Sequence, residues 1–267
     1  MAIRTIFSMA EDCARGERLG WTEFVRDYAA MARRLLGQYF PVLIPDADHH
    51  VAAVFRRADA HDAAWFSGLK FTNEREFMMA FRDLVFAHGR EQARVPAPQI
   101  TLDVVRTAMK DLNVLERELL WLVIKGYDAQ RIAAMMMNAA ATAEAVQRLA
   151  GERLAALLSG TPPQVLADYA RVLMELAEQS KTDQCLALKT FNNLVNGQIS
   201  WRERELAEEH MNNCFYCIDR FTTFQEMIRL RKDVPQLGAT DVEAILGQLA
   251  CGAGKPRGVL SRLFAGR

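Results

Sequence analysis

Along nearly the whole chain, apolar residues return every three or four positions and nowhere alternate for long with polar ones. That spacing lines up one face of a helix, whereas a half-buried strand needs a period of two. Alternating Val/Ile/Thr stretches flanking Asn-Gly or Asp-Gly turns are absent, and Ala, Leu, Met, Arg and Glu dominate the periodic segments. An all-α protein is expected.

The punctuation between the periodic segments sets the organisation. Phe24, Tyr28, Met31, Leu35 and Phe40 share a stripe that Pro41 and Pro45 end. A second helix is predicted from about Asp46 to Ala58, with Val51, Val54 and Phe55 inward, and a third from Asn73 to His88, with Phe77, Phe81, Leu84 and Val85 inward. EQARVPAPQI, residues 91–100, reads as a linker because its prolines oppose helix. Thr101 and Asp103 suit the cap and first turn of a new unit. Gly126 and Tyr127 then interrupt a helix, Asp128 caps the next, and another is expected from near Thr142, the layout of a helix-turn-helix. Gly160, Pro162 and Pro163 mark a boundary, a helix follows to about Gln179, and the cysteine-bearing segment fills 181–234. After Pro235, T-D-V-E at Thr240 has the form of a capping box, CGAGKPRG is flexible in composition, and GVLSRLFAGR is short, basic and amphipathic. The expected division is 1–94, 95–160, 161–234 and 235–267.

Charge narrows the partners. The 267 residues carry 33 basic and 33 acidic side chains, so no global field draws the chain to nucleic acid and any DNA contact needs a local patch. No window approaches the roughly 20 apolar residues that cross a bilayer, and the apolar run near the N-terminus is too short for a signal peptide. A cytoplasmic protein without membrane contact is expected. That compartment is reducing, so clustered cysteines point to metal or redox chemistry rather than disulfides.

One cluster stands out: HMNNCFYC, residues 210–217. His210 precedes Cys214 by one helical turn, and the CxxC pair Cys214 and Cys217 can bring two thiolates to one ion, the donor set zinc prefers. A redox pair and plain surface thiols are the alternatives at this level. Cys13 and Cys251 lie outside the spacing and read as ordinary thiols, and the adjacent His49 and His50 as solvated surface groups. There is no glycine-rich phosphate loop, no HExxH and no GxSxG, so no enzyme is expected.

The order of segments resembles the extracytoplasmic-function sigma factors of bacterial RNA polymerase. GWTEFVRDYAAMARRLL looks like their opening helix, and DADHHVAAVFRRA followed by FTNEREFMMAFRDLVFAHGRE looks like the helix pair that binds the polymerase clamp and melts the −10 element. LNVLERELLWLVIKGYDAQRIAAMMM looks like the start of their −35-reading domain, so the resemblance covers about the first 160 residues. CLALKTFNNLVNGQISWRERELAEEHMNNCFYCIDRF resembles the zinc-binding anti-sigma domain, in which a distant cysteine joins HxxxCxxC. The resemblance implies two small helical sigma-like domains, the second a helix-turn-helix, and a C-terminal helical domain holding Zn2+ on Cys185, His210, Cys214 and Cys217. It implies polymerase contacts at Asp46, Asp48, Val51, Phe55 and Arg56. It also implies DNA contacts at Asn73, Arg75, Arg82, His88 and Arg90 on the −10-like helix, and at Thr142, Gln147 and Arg148 on the recognition helix.

Two functions follow from these residues. The first is a sigma-like transcription regulator that binds polymerase and promoter DNA under control of its own zinc domain. The second is a degenerate sigma-like scaffold that binds a partner protein and not promoter DNA. The second draws on the recognition helix, where Val146, Leu149, Ala150, Leu154 and Leu157 form the apolar face and Arg148 is offset by Glu144. DNA affinity rests largely on phosphates meeting Lys and Arg, yet 101–160 holds seven of those against seven acidic residues. Met135, Met136 and Met137 add an adaptable contact surface on that view.

Overall fold

The computed structural model describes residues 5–93, 101–136, 139–154 and 166–249, with 61–62, 139–143, 150, 154 and 166–167 described by backbone only. The first helices are α1 (Ile6–Arg15), α2 (Arg18–Tyr39), α3 (Ala47–Gly68) and α4 (Glu74–Gln92), with a 3-10 turn at Pro41–Asp46. Then come α5 (Leu102–Ala108), α6 (Val114–Ile124), α7 (Ala129–Met136) and α8 (Ala139–Leu149), which runs into a π-helical turn at Ala150–Leu154. The rest are α9 (Leu166–Gln179), α10 (Leu188–Asn196), α11 (Trp201–Asn213), α12 (Phe215–Asp233) and α13 (Ala239–Leu246). The fold is all-helical as expected, with no strand among the described residues. No described helix is long and apolar enough to cross a membrane.

The helices form two compact units, one of residues 1–37, 42–93 and 233–267 and one of 38–41 and 94–232. The described residues of 95–160 and of 161–232 thus share one unit, and those from 233 onward group with the N-terminal helices. Residues 91–92 of the expected 91–100 linker belong to the last turn of α4; residues 94–100, the Gly160–Pro163 boundary, Met137, Leu157, Cys251 and the basic tail lie outside the described residues.

The first unit is built around Phe24, whose ring meets those of Phe55, Phe66, Phe77 and Phe81 edge-on at centroid distances of 4.9 to 5.9 Å. Edge-on aromatic packing adds to the burial of apolar area. α3 runs ten residues past the expected end because Ala63 and Phe66 keep its inward stripe buried. Gly20 allows α1 to approach α2: a Cβ there would lie 2.5 Å from Cβ of Asp12. The Trp21 indole N–H donates to the Cys13 carbonyl across this contact at 3.1 Å. α13 is tied on by the Leu237 N–H donating to the Arg26 carbonyl at 2.9 Å. Its N-cap is Gly238, so Thr240 sits inside the first turn and the expected capping box does not form. Thr101 does stand at the N-cap of α5, but its hydroxyl makes no capping bond.

In the second unit Asn113 and Glu116 form the capping box that starts α6, Gly126 turns the chain with φ of 85°, and the Asp128 carboxylate accepts the Arg131 N–H at 2.8 Å to start α7. Its core joins both halves of the unit: Val105, Leu119, Trp121, Ile132, Val146 and Leu149 pack in one cluster with Leu173, Ala177, Phe215 and Ile218. Within it lies a charged group. Lys125, wholly buried at the end of α6, places Nζ 3.0 Å from Oδ1 of Asp219 and 3.9 Å from Oε2 of Glu226, both on α12. Nζ also donates to the hydroxyls of Thr223 at 2.7 Å and Thr222 at 3.1 Å. Glu226 Oε1 accepts the phenol protons of Tyr39 at 2.8 Å and Tyr127 at 2.5 Å.

Removing one partner of a buried ion pair leaves a charge that the interior cannot solvate. Lys125→Met is expected to lower stability by about 3–5 kcal/mol, read from urea unfolding; a loss within error of zero would show that the group carries no such load. Glu118, also on α6, is buried, and burial pushes its carboxyl up to about 8 despite a hydrogen bond from Gln225 that lowers it. The folded state therefore holds a proton that the unfolded chain releases from about 4.5 upward, and stability falls as pH rises from there to about 8. Glu118→Gln should flatten that decline, so that unfolding at pH 5 and pH 8 differs less in the variant than in the parent.

Candidate metal centre

Four side chains from three places in the second unit converge. Cys185 lies in a tight turn after α9, where its N–H donates to the Thr182 carbonyl at 3.1 Å. His210 lies in the last turn of α11, and Cys214 caps that helix in extended backbone (φ −119°, ψ 108°). Cys217 follows in the first turn of α12. The break at Cys214 lets the seven-residue interval from His210 fold back on itself, so that His210 Nε2 stands 3.2 Å from Cys217 Sγ. The Ser200–Glu203 capping box starts α11 and so sets where its final turn delivers His210. Phe191 of α10 packs on Phe221 of α12 at 5.7 Å and joins those two helices.

The four ligand atoms lie within 4.8 Å of one another. Cys185 Sγ and Cys214 Sγ are 3.7 Å apart, unbonded, and all three are free thiols. Bonds of about 2.3 Å to a tetrahedral ion separate two sulfurs by about 3.8 Å, so the observed sulfur pair stands at the edge length such an ion needs. This cluster can hold a metal ion. Two backbone N–H groups point at the sulfurs, Thr182 to Cys185 at 3.2 Å and Leu186 to Cys217 at 3.3 Å. Outer contacts of this kind orient ligands and steady thiolate charge.

The thiols differ in acidity. Burial works against ionising Cys185, but the Thr182 N–H and hydroxyl and the neighbouring thiols outweigh it and hold the group below its ordinary value. Burial pushes Cys214 up, and pushes Cys217 up further, with the charges of Cys214 and Cys185 adding to it.

Compared with protein-family models, with curated proteins and with solved structures, the chain has no match.

The other expected site residues are not brought together in the same way. Val51 and Phe55 are buried in the first unit, Phe55 with its ring 4.9 Å from that of Phe24, so neither is open to a docking partner. Asp46 is exposed, Asp48 is exposed and paired with Arg33, and Arg56 donates to Gln248 at 2.7 Å. On α4, Asn73 is the N-cap, its side chain accepting the Glu76 N–H at 3.0 Å. Arg75 is half-buried and Arg90 exposed. Arg82 and His88 are 4% and 6% exposed, which takes them off the expected DNA-facing strip. The α4 helix buries more than one face, and Arg82 lays its guanidinium over Phe86, 3.7 Å from the ring centre, while pairing with Asp83 at 3.2 Å. His88 Nε2 is 3.2 Å from His50 Nδ1. Burial, then the charges of His50 and Arg57, lower His88 to about 4; His50 is half-buried against His88, while His49 is exposed as expected.

On α8, which begins at Ala139 rather than near Thr142, Gln147 and Arg148 are exposed, and the side chain of Thr142 lies outside the described residues. Arg148 pairs with Glu116 and reaches Glu152 at 3.8 Å. The buried Lys125, Asp219 and Glu226 escaped the sequence because polar residues on a helix normally mark its wet face. The one available signal was that α12 carries apolar residues around its whole circumference.

Because Cys214 and Cys217 keep their protons until a cation displaces them, metal uptake should release protons and tighten as pH rises. Zn2+ titration against a chromophoric chelator at pH 6.5 and pH 8 should give tighter binding at the higher pH, by ~10-fold per pH unit for each proton displaced. Equal affinity at both would contradict the assignment of these thiols as ligands.

Proposed function

We propose that this chain is a transcription regulator on the plan of an extracytoplasmic-function sigma factor, held by its own zinc-binding domain. The observation that carries the reading is that α12, which begins between two of the four converging ligands, shares one core with α6 and α8, the helices that resemble the −35 reader. Three thiols and an imidazole form a soft donor set that favours zinc over magnesium or calcium. Four protein ligands leave no open position for substrate, so the ion acts as a staple rather than a catalyst. In this reading zinc holds α11 and α12 in the arrangement that packs on α6, and its loss frees them from α6 and alters what α8 presents. A signal shifts such an equilibrium only by its differential affinity for the two states, which a bound zinc ion is strong enough to supply.

The second reading, a partner-protein regulator without promoter affinity, is favoured by the pairing of Arg148 with Glu116 and by the burial of Arg82 and His88. The ion pair and the burial of Arg82 each withdraw a guanidinium from the phosphate contacts that DNA affinity needs, and His88 is buried as a neutral imidazole.

The test is a pull-down with core RNA polymerase and a salt-dependent promoter-binding titration, run on the zinc-loaded protein and on Cys214→Ser/Cys217→Ser with zinc verified absent. Polymerase capture, with promoter affinity that changes on zinc loss, is the expected outcome. No polymerase capture and no salt-dependent DNA binding in either protein would overturn the sigma-like reading in favour of the partner-protein one. Equal promoter affinity in both would overturn control by the zinc domain.

A further inference from the structure

The first unit carries a cleft of about 530 Å³ between α1 and the α3–α4 connection, apart from the metal site. Its floor is aromatic: Phe7 and Phe71 stack at 5.0 Å between centroids, and Phe66 lines it from α3. Phe7 is 42% exposed, a large apolar ring left open to water. Glu11, Glu76 and Lys70 also line the cleft, an acidic excess of one charge. The Glu76 carboxylate accepts the Thr72 N–H at 2.7 Å, and both residues line the cleft.

The basic amphipathic ending of the sequence has no role in the proposed function. Residues 255–267, KPRGVLSRLFAGR, contain Lys255, Arg257, Arg262 and Arg267 and no acidic residue. Leu260, Leu263 and Phe264 recur at the spacing of one helical face. The described chain ends nearby, because Gln248 accepts a hydrogen bond from Arg56 of α3 at 2.7 Å. From Arg56 to Phe66 is about 15 Å along that helix at 1.5 Å per residue, and the residues between 249 and 260 span up to about 35 Å. The tail therefore reaches the cleft.

We propose that this segment docks in the cleft of its own chain, with Leu260, Leu263 and Phe264 against Phe7, Phe66 and Phe71 and with Arg262 facing the acidic rim. The pairing is apolar in the middle and of opposite charge at the edge, the arrangement by which amphipathic segments seat in grooves. Tethering makes the local concentration of the segment high, so a modest intrinsic affinity suffices for occupancy.

The full-length protein with a benzophenone amino acid in place of Phe264 tests this. Irradiation should give a crosslink within one molecule, mapped by mass spectrometry to residues 7–14 or 66–72. Glu11→Lys, an exposed change that leaves helicity by circular dichroism as a folding control, should lower the yield severalfold, and Arg262→Glu in the same chain should restore it. Crosslinks that map elsewhere, that join two chains, or that fail to form would each overturn the proposal, as would a yield unmoved by Glu11→Lys.

Discussion

The second unit depends on a lysine with no access to water. Lys125 ends α6, and its ammonium is enclosed by Asp219, Thr222, Thr223 and Glu226 of α12. The Trp121 indole donates to the same Asp219 oxygen at 2.8 Å, and the Lys125 carbonyl accepts the Gln38 amide at 2.8 Å. Such a group adds little net stability, because desolvating the charges offsets much of their attraction. What it does impose is register. Apolar side chains would let α12 slide a turn along α6 at modest cost, but any other register leaves a charge buried alone.

That register links the ion pair to the metal ligands through a single helix. Cys214 and Cys217 stand at the start of α12, Asp219 follows within the first turn and a half, and Glu226 two turns beyond. An ion on these ligands would hold α12 to α11 and to the turn after α9, while the charges in its middle hold it to α6. α10 and α11 are short, α11 is exposed along its first six residues, and a small module of this kind has little core of its own to bury. Zinc-stapled domains commonly supply the deficit through the metal.

Much of this was legible in the sequence where the rule is local. The stripe from Phe24 to Leu35 is buried as its spacing requires, the turn at Gly126 and the cap at Asp128 stand where expected, and His210, Cys214 and Cys217 meet as HxxxCxxC suggests. Cys185 was reachable only through likeness to a zinc module, since no local spacing ties it to a cluster 25 residues on. Reading failed where a residue could lie on either side of a helix. Arg82 and His88 read as a wet, cationic strip, but α4 buries more than one face and the rings of Phe86 and His50 cover them. Val51 and Phe55 could not serve both as core and as a docking surface, and the core of the first unit took them.

The sequence by itself determined that the chain is helical, where most helices stop, and which three residues of one short string could share an ion, because periodicity, glycine, proline and one-turn spacing act over a few residues. Only the tertiary structure decided that Lys125 meets Asp219 and Glu226, that Glu118 is buried beside Gln225, and that the segments on either side of residue 160 share one core. Those contacts join residues about a hundred positions apart. They are selected by the cost of burying a charge or a carboxyl without its partner, a cost that exists only once the helices have packed.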